Sequence, residues 1–218
     1  MSVRAVLFDF DFTLGDSADA IVHCSRAAFA DMGLTPAEPR AIRRTIGLTL
    51  QDSFRALTGD QGPEPAEEYT RRYVAHADRV MTAMTTVYEP TAAVLATMRA
   101  RGVGTAIVST KYRYRIESIL EHVGLAGAVD VIVGGEDVTR HKPDPEGLQR
   151  ALAGLRLENA EALYVGDHPV DGYAAARAGV RFVRVLTGED FGDDAWADIS
   201  PLVTIPDVSA LPAVVDRL

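Results

Sequence analysis

Apolar and polar positions along the chain follow two different periods. Val3, Ala5, Val6, Leu7 and Phe8 form a nearly unbroken apolar run that ends in two aspartates, Asp9 and Asp11, one residue apart. Such a run predicts a buried strand that delivers carboxylates at its C-terminal end. Helical spacing follows: Ala20, Ile21, Cys24, Ala27, Ala28 and Phe29 predict a helix over 16–32, with Asp16 or Ser17 as its N-cap and Gly33 as its stop. Further helical patterns cover 37–46, 50–57 and 66–80, separated by Gly47-Leu48-Thr49 and by the turn-rich stretch 58–63. No strand pattern interrupts this block. From residue 91 the pattern alternates. Helices are expected over 91–101, 111–122, 145–155 and 169–178, with short apolar strands over 103–109, 129–133, 162–165 and 180–186. Pro169 opens the last of these helices and Gly179 follows its end. An acidic loop over 189–194, a candidate edge strand over 202–205 and a short closing helix over 208–218 complete the chain.

Strands alternating with helices of ten to twelve residues imply right-handed crossovers and a Rossmann-like parallel sheet with helices on both faces. The fold class is therefore α/β, with an all-α segment inserted after the first strand. The expected division is an α/β core of residues 1–15 and 86–218 and a helical insert of residues 16–85.

Composition narrows the class without changing it. The chain has 218 residues, 47% apolar and 24% charged, and a formal net charge of −9. That balance argues against a nucleic-acid partner, since phosphate backbones are bound by basic stripes. No run approaches the eighteen or so apolar residues of a membrane span. The N-terminus lacks the basic, apolar and small-residue order of a signal peptide, so the expected location is cytoplasmic. Cys24 is the one cysteine; it fits a reducing compartment and reads as small core filler rather than a nucleophile.

The chemistry sits at strand ends, which in a parallel sheet lie along one edge. The first strand ends at Asp9 and Asp11, the second at Ser109 and Thr110 followed by Lys111, and a later one at Gly166-Asp167 with Asp171 four residues on. A loop carries His141-Lys142-Pro143-Asp144-Pro145. Several carboxylates with few histidines suit a hard cation such as Mg²⁺ rather than zinc or copper.

These four ordered motifs (Phe8-Asp9-Phe10-Asp11-Phe12-Thr13-Leu14, Ser109, Lys142-Pro143 and Gly166-Asp167-His168-Pro169-Val170-Asp171) resemble the haloacid dehalogenase-like superfamily, in its phosphoglycolate phosphatase-like branch with a helical cap. The resemblance spans essentially the whole chain. It implies that Asp9 is a nucleophile forming an aspartyl-phosphate, and that Asp11 protonates the leaving alcohol and then deprotonates water. It also implies that Asp9, Asp167 and the backbone carbonyl of Asp11 bind Mg²⁺, that Ser109 bonds a phosphoryl oxygen and that Lys142 holds nucleophile and phosphate together. The helical insert becomes a cap that sets specificity for a small phosphorylated metabolite, with hinges near 14–16 and 85–88. Monomer and homodimer both fit, and no membrane or nucleic acid is implied.

Several positions carry a second reading. Ser109 also suits the N-cap of the 111–122 helix. Asp171 either orients the metal water or Lys142, or is an acidic first-turn residue favoured by the helix dipole. Lys111-Tyr112-Arg113-Tyr114-Arg115 looks like a phosphate patch but reads better as a solvated helix face, with at most Lys111 near the site. Arg43 and Arg44 read as helix-surface charge, and His168 as an exposed loop histidine. Phe12 stands where the family usually has glycine, which places a phenyl ring at the junction of cap and core.

Asp11 favours phosphomonoester hydrolysis over dehalogenation, whose enzymes lack an aspartate there. A sugar-phosphate mutase of the β-phosphoglucomutase type is the alternative within the family, but residues 47–51 lack the arginine those enzymes carry. A non-catalytic phosphate-binding or regulatory protein is the alternative from another class; it is disfavoured because Asp9, Asp11 and Lys142 are all present.

Overall fold

The computed structural model describes residues 3–218, so the first two residues of the 1–15 segment lie outside the described part. Strand β1 (Ala5–Phe8) is buried on both faces, as its unbroken apolar run requires. Val6 and Phe8 join the core on one side and Ala5 and Leu7 the core on the other. The chain leaves β1 through a tight turn, passes a two-residue strand β2 (Gly15–Asp16) and enters four helices. These are α1 (Ala18–Asp31), α2 (Pro39–Arg43), α3 (Leu50–Thr58) and α4 (Pro63–Met84). It returns through β3 (Thr86–Val87) and then alternates: α5 (Pro90–Ala100), β4 (Gly104–Val108), α6 (Arg113–His122), β5 (Val131–Val133), α7 (Glu146–Leu155), β6 (Ala162–Gly166), α8 (Pro169–Ala178) and β7 (Arg181–Val185). An edge strand β8 (Val203–Ile205) and helix α9 (Leu211–Val215) end it.

The six long strands form one parallel sheet in the order β5-β4-β1-β6-β7-β8. The chain begins in the middle, fills one side, then crosses β1 to fill the other. That reversal between β1 and β6 is a topological switch point, where an open α/β sheet leaves a crevice beyond its C-terminal strand ends. The register sets the crevice: Phe8 is level with Ile107 of β4 and with Val165 of β6. Helices α5, α6 and α9 pack on the sheet face that carries Val6 and Phe8, and α7 and α8 on the opposite face.

The helical segment has its own aromatic centre, Phe29, Phe54, Tyr69 and Tyr73, with neighbouring ring centroids 5.3–6.0 Å apart. Phe10 and Leu14 connect this centre to the sheet core. The two expected hinge segments pair with each other as antiparallel strands, Gly15 opposite Val87 and Asp16 opposite Thr86. A Cβ on Gly15 would lie 2.9 Å from the Thr86 carbonyl oxygen, so this close crossing needs glycine.

Several boundaries differ from the pattern; the 129–133 strand shortens to Val131–Val133 and the 208–218 helix to Leu211–Val215 after a short turn. The 37–46 helix is reduced to α2, because Thr45 donates its hydroxyl to the Ile42 carbonyl and the chain turns towards Gly47, whose φ is 101°. Helix α4 runs four residues past the apolar pattern and begins earlier, at Pro63. Helix α6 begins at Arg113 with Tyr112 as its N-cap, so Ser109 does not cap it. No helix among the described residues is long and apolar enough to cross a membrane.

Candidate active site

Each strand end beside the switch point supplies one group. Asp9 follows β1 directly, and its amide is fixed by the Val165 carbonyl at 2.9 Å. The turn after it is closed by Leu14 and Gly15 amides on the Phe10 carbonyl, at 2.9 and 3.1 Å, and by the Phe12 amide on the Gly15 carbonyl at 2.7 Å. Asp11 is thereby raised above the sheet edge towards the helices. Phe12 pays for this turn with a left-handed backbone, φ 59°, where side chains other than glycine are strained by about 1–2 kcal/mol. Its ring is buried against Ala18 and Ile46 with Arg43 stacked over it at 5.4 Å, so the aromatic packing offsets the strain.

Lys142 is the hub of the lower site. Its ammonium lies 2.9 Å from Asp9 Oδ2, 2.7 Å from Asp171 Oδ1 and 3.2 Å from the Tyr164 hydroxyl. Asp171 is fully buried, and its other oxygen accepts the His168 amide at 3.0 Å. Asp171 thus contacts Lys142 with one oxygen and closes the first turn of α8 with the other. A Cβ on Gly166 would sit 2.5 Å from Asp171 Oδ2, which explains glycine at the end of β6. Burial alone would depress the Lys142 ammonium, but Asp171 and Asp9 outweigh it and hold it above the usual lysine range. The Asp9 carboxyl is pushed up by burial despite Lys142, with Asp171 adding to the rise. Asp167 is pushed well above its ordinary value by burial first, then by Asp171 and Asp9.

The same residues answer whether a hard cation fits. Carboxylate oxygens of Asp9, Asp167 and Asp171 lie within 4.8 Å of one another. Three carboxylates face one ammonium, an excess of two negative charges that burial makes costly. Asp9 Oδ1 is buried without a hydrogen-bond partner. Asp171 already accepts from Lys142 and the His168 amide, so Asp9 and Asp167 have the greater free capacity. An all-oxygen donor set of this charge fits Mg²⁺. Thr13 donates to Asp167 Oδ1 at 3.2 Å, a role for the threonine of the first motif that its sequence position did not reveal. Gly188 packs its Cα on the other side of Asp167, where a Cβ would fall 2.0 Å from Oδ2. Gly188→Ala is therefore expected to displace Asp167 and to weaken binding of a divalent cation at least tenfold, read from the Mg²⁺ concentration that gives half the rise in Tm.

Ser109 lies one residue past β4, buried at the same edge, with its Oγ accepting the Lys111 amide at 3.3 Å. Thr110 turns the other way and donates to the Gly47 carbonyl of the helical segment at 3.4 Å. Arg113 and Tyr114 form a solvated face and Lys111 lies near the site, as expected, but Arg115 is not solvated. Lys111 is buried with its ammonium 3.2 Å from Asp11 Oδ2, and Arg115 is buried against Asp78 of α4 at 2.6 Å. Helices folded over the strand ends bury charges that a single helix pattern would leave in water. Arg43, half-buried, and Arg44, exposed as the sequence suggests, reach the loop after β7, Arg43 Nε to Glu189 Oε1 at 2.7 Å and Arg44 over the Phe191 ring at 5.7 Å. His168 is buried rather than exposed: its Nδ1 accepts the Val170 amide at 3.0 Å and its ring meets Phe191 edge-on at 4.3 Å. Burial lowers its pKa to about 4, so it is neutral at physiological pH. Cys24 is buried, and burial pushes its thiol up to about 11, consistent with core filler.

The loop that carries Lys142 is held from below by Glu146, which accepts the Thr139 and Arg140 amides at 3.2 and 3.0 Å and the Thr139 hydroxyl at 2.9 Å. The Thr139 amide, before any other group, lowers the Glu146 carboxyl to about 2 from 4.5. A depressed folded value means stabilisation present above about pH 4.5 and lost as pH falls towards 2. Glu146→Gln should therefore lower Tm at pH 7, and the gap from the parent should narrow steadily between pH 4.5 and 2.

Comparison with known proteins agrees with this arrangement. Residues 6–185 match the family model for haloacid dehalogenase-like hydrolases. The chain is 29% identical over 216 residues to a phosphoglycolate phosphatase of Rhodospirillum rubrum, covering 95% of this chain and 89% of that one. It is 31% identical over 194 residues to the pyrophosphatase PpaX of Halalkalibacterium halodurans, covering 88% of each. Among solved structures, a Bacteroides fragilis protein described as a haloacid dehalogenase-like hydrolase superposes with a TM-score of 0.92 at 39% identity, over 96% of this chain and 100% of that one. The parallel sheet, the strand-end carboxylates and a family match over most of its length agree: this chain belongs to the haloacid dehalogenase-like hydrolases.

Proposed function

We propose that the protein is a cytoplasmic, Mg²⁺-dependent phosphatase that hydrolyses a small phosphate ester through a phosphorylated Asp9. The observation that carries this reading is the state of Asp9: one oxygen held by Lys142, the other buried and without a partner. A carboxylate fixed in this way has one lone-pair-bearing oxygen free to attack and no freedom to turn away.

In the first step the Asp9 carboxylate attacks phosphorus, the bond to the ester oxygen breaks, and Asp11 gives that oxygen a proton. In the second, Asp11 takes a proton from water, the water oxygen attacks phosphorus, and the bond to Asp9 breaks to release phosphate. Lys142 draws the anionic phosphate towards an anionic nucleophile, and the Ser109 hydroxyl donates to a phosphoryl oxygen. Asp9, Asp167 and the Asp11 carbonyl would hold Mg²⁺, whose charge would further offset the same repulsion. Residues 16–85 act as a cap that excludes water during these steps, moving about the β2–β3 pair. The mutase alternative loses support, because Arg43 and Arg44, nearest the loop in question, are engaged with Glu189 and the 190–191 segment.

Phosphate release from a panel of small esters, 2-phosphoglycolate first, tests the reading. Turnover should require Mg²⁺ and stop on addition of EDTA. Turnover that survives EDTA, or no turnover of any ester with Mg²⁺ present, would overturn it.

A further inference from the structure

Above Asp11 lies a half-open cavity of about 60 Å³, walled by Thr110 and Lys111 from the sheet edge and by Ile42, Ile46, Leu50 and Tyr73 from the helices. It touches Asp11 but not Asp9, so it receives the part of a substrate beyond the ester oxygen. Its volume is that of about two water molecules at ~30 Å³ each, room for a leaving group of roughly two to four non-hydrogen atoms.

The polar groups in its wall are mostly spent. Thr45 donates its hydroxyl to the Ile42 carbonyl, Ser53 to the Thr45 carbonyl and Thr110 to the Gly47 carbonyl. Arg115 reaches the wall, but its guanidinium is taken by Asp78 at 2.6 Å and by the Val74 carbonyl at 3.2 Å. Lys111 is different. Its ammonium has three donors; it meets Asp11 Oδ2 at 3.2 Å, the weak acceptor Met81 Sδ at 3.5 Å and the face of Phe10 at 5.9 Å. One oxygen acceptor is thin provision for a cation that is only 9% exposed.

We propose that Lys111 is the specificity-determining residue of this site: its ammonium receives a negative group carried by a short leaving group. This rests on the phosphatase reading and adds the substrate class to it. A carboxylate or a second phosphate supplies the missing acceptor, whereas a neutral sugar or nucleoside brings no charge to pair with the ammonium. The neighbouring apolar wall strengthens the ion pair by excluding water.

The test compares kcat/KM for 2-phosphoglycolate and pyrophosphate with that for carbamoylmethyl phosphate, the neutral amide of the same size as phosphoglycolate. The parent protein should prefer at least one anionic substrate by thirtyfold or more, and which one identifies the negative group. In Lys111→Met that ratio should collapse at least tenfold, chiefly through KM, while Lys111→Arg should keep most of it. Losses common to all substrates cancel in the ratio. A ratio in Lys111→Met within threefold of the parent's, or hydrolysis by the parent without preference for either anion, overturns the proposal while leaving the phosphatase reading intact. If Lys111→Met does not fold, product inhibition of the parent decides the matter. Stronger inhibition by glycolate than by glycolamide, or by inorganic phosphate where pyrophosphate is preferred, supports the proposal; equal inhibition by charged and neutral products overturns it.

Discussion

Asp9→Asn is expected to lower kcat by roughly three to six orders of magnitude, with KM little changed. The substitution keeps the shape of the side chain and an oxygen for Lys142, which lies 2.9 Å from Asp9 Oδ2. It removes the charge and the nucleophilic lone pair. The same variant should be more heat-stable than the parent at pH 7 without metal. Burial raises the Asp9 carboxyl in the folded state, so its contribution is favourable below the unfolded pKa and is lost as pH rises through the folded one. At neutral pH the buried charge is a cost that asparagine relieves. A rise in Tm alongside loss of turnover separates the removal of a catalytic group from simple unfolding. In the parent, added Mg²⁺ should raise Tm by the same logic, because an ion that binds only the folded state stabilises it.

Lys142→Met should have the second-largest effect and the opposite sign on stability. The ammonium touches Asp9, Asp171 and Tyr164, and its loss leaves Asp9, Asp167 and Asp171 buried together without a cation. Breaking a buried pair from one side costs about 3–5 kcal/mol. The Lys142 pKa is raised in the folded state, so its stabilisation is fully present below the unfolded lysine value of about 10.4 and is lost only as pH rises through the folded one. The penalty should therefore be complete at pH 7, fall off in acid as the carboxylates protonate, and be relieved in part by Mg²⁺. Denaturant titrations at pH 7, with and without Mg²⁺, measure it. The expected fall in kcat/KM is about 10²–10⁴-fold, the scale of losing one preorganised charge at a reacting group.

The site's chemistry was written in the sequence where it depends on local pattern. An apolar run ending in Asp9 and Asp11 reads as a buried strand with carboxylates at its tip, and helix α8 (Pro169–Ala178) announces both ends with proline and glycine. Topology then brings Ser109, Asp167 and Lys142 to the same edge, because parallel strands share their C-terminal side. What the pattern hid depends on contacts between distant segments. Arg115 looks like a solvated charge until α4 lies across it. His168 looks like a loop residue until Gly47 and Phe191 close on its ring. Gly188 is an unremarkable glycine until Asp167 is found where its Cβ would be. The β2–β3 pair escaped because two residues carry no periodicity at all. Phe12 was noticed as an oddity, but its left-handed backbone and its place under Arg43 come only from the folded turn.

The central claim is that Asp9 carries the phosphoryl group, and chemical trapping tests it most directly. Protein quenched in acid during turnover, reduced with borohydride and digested should yield homoserine in place of aspartate at position 9, because an acyl phosphate is reduced where a free carboxylate is not. The account predicts that conversion at Asp9 alone, dependent on substrate and on Mg²⁺. Conversion at another carboxylate, or none while phosphate release proceeds at full rate, would contradict it.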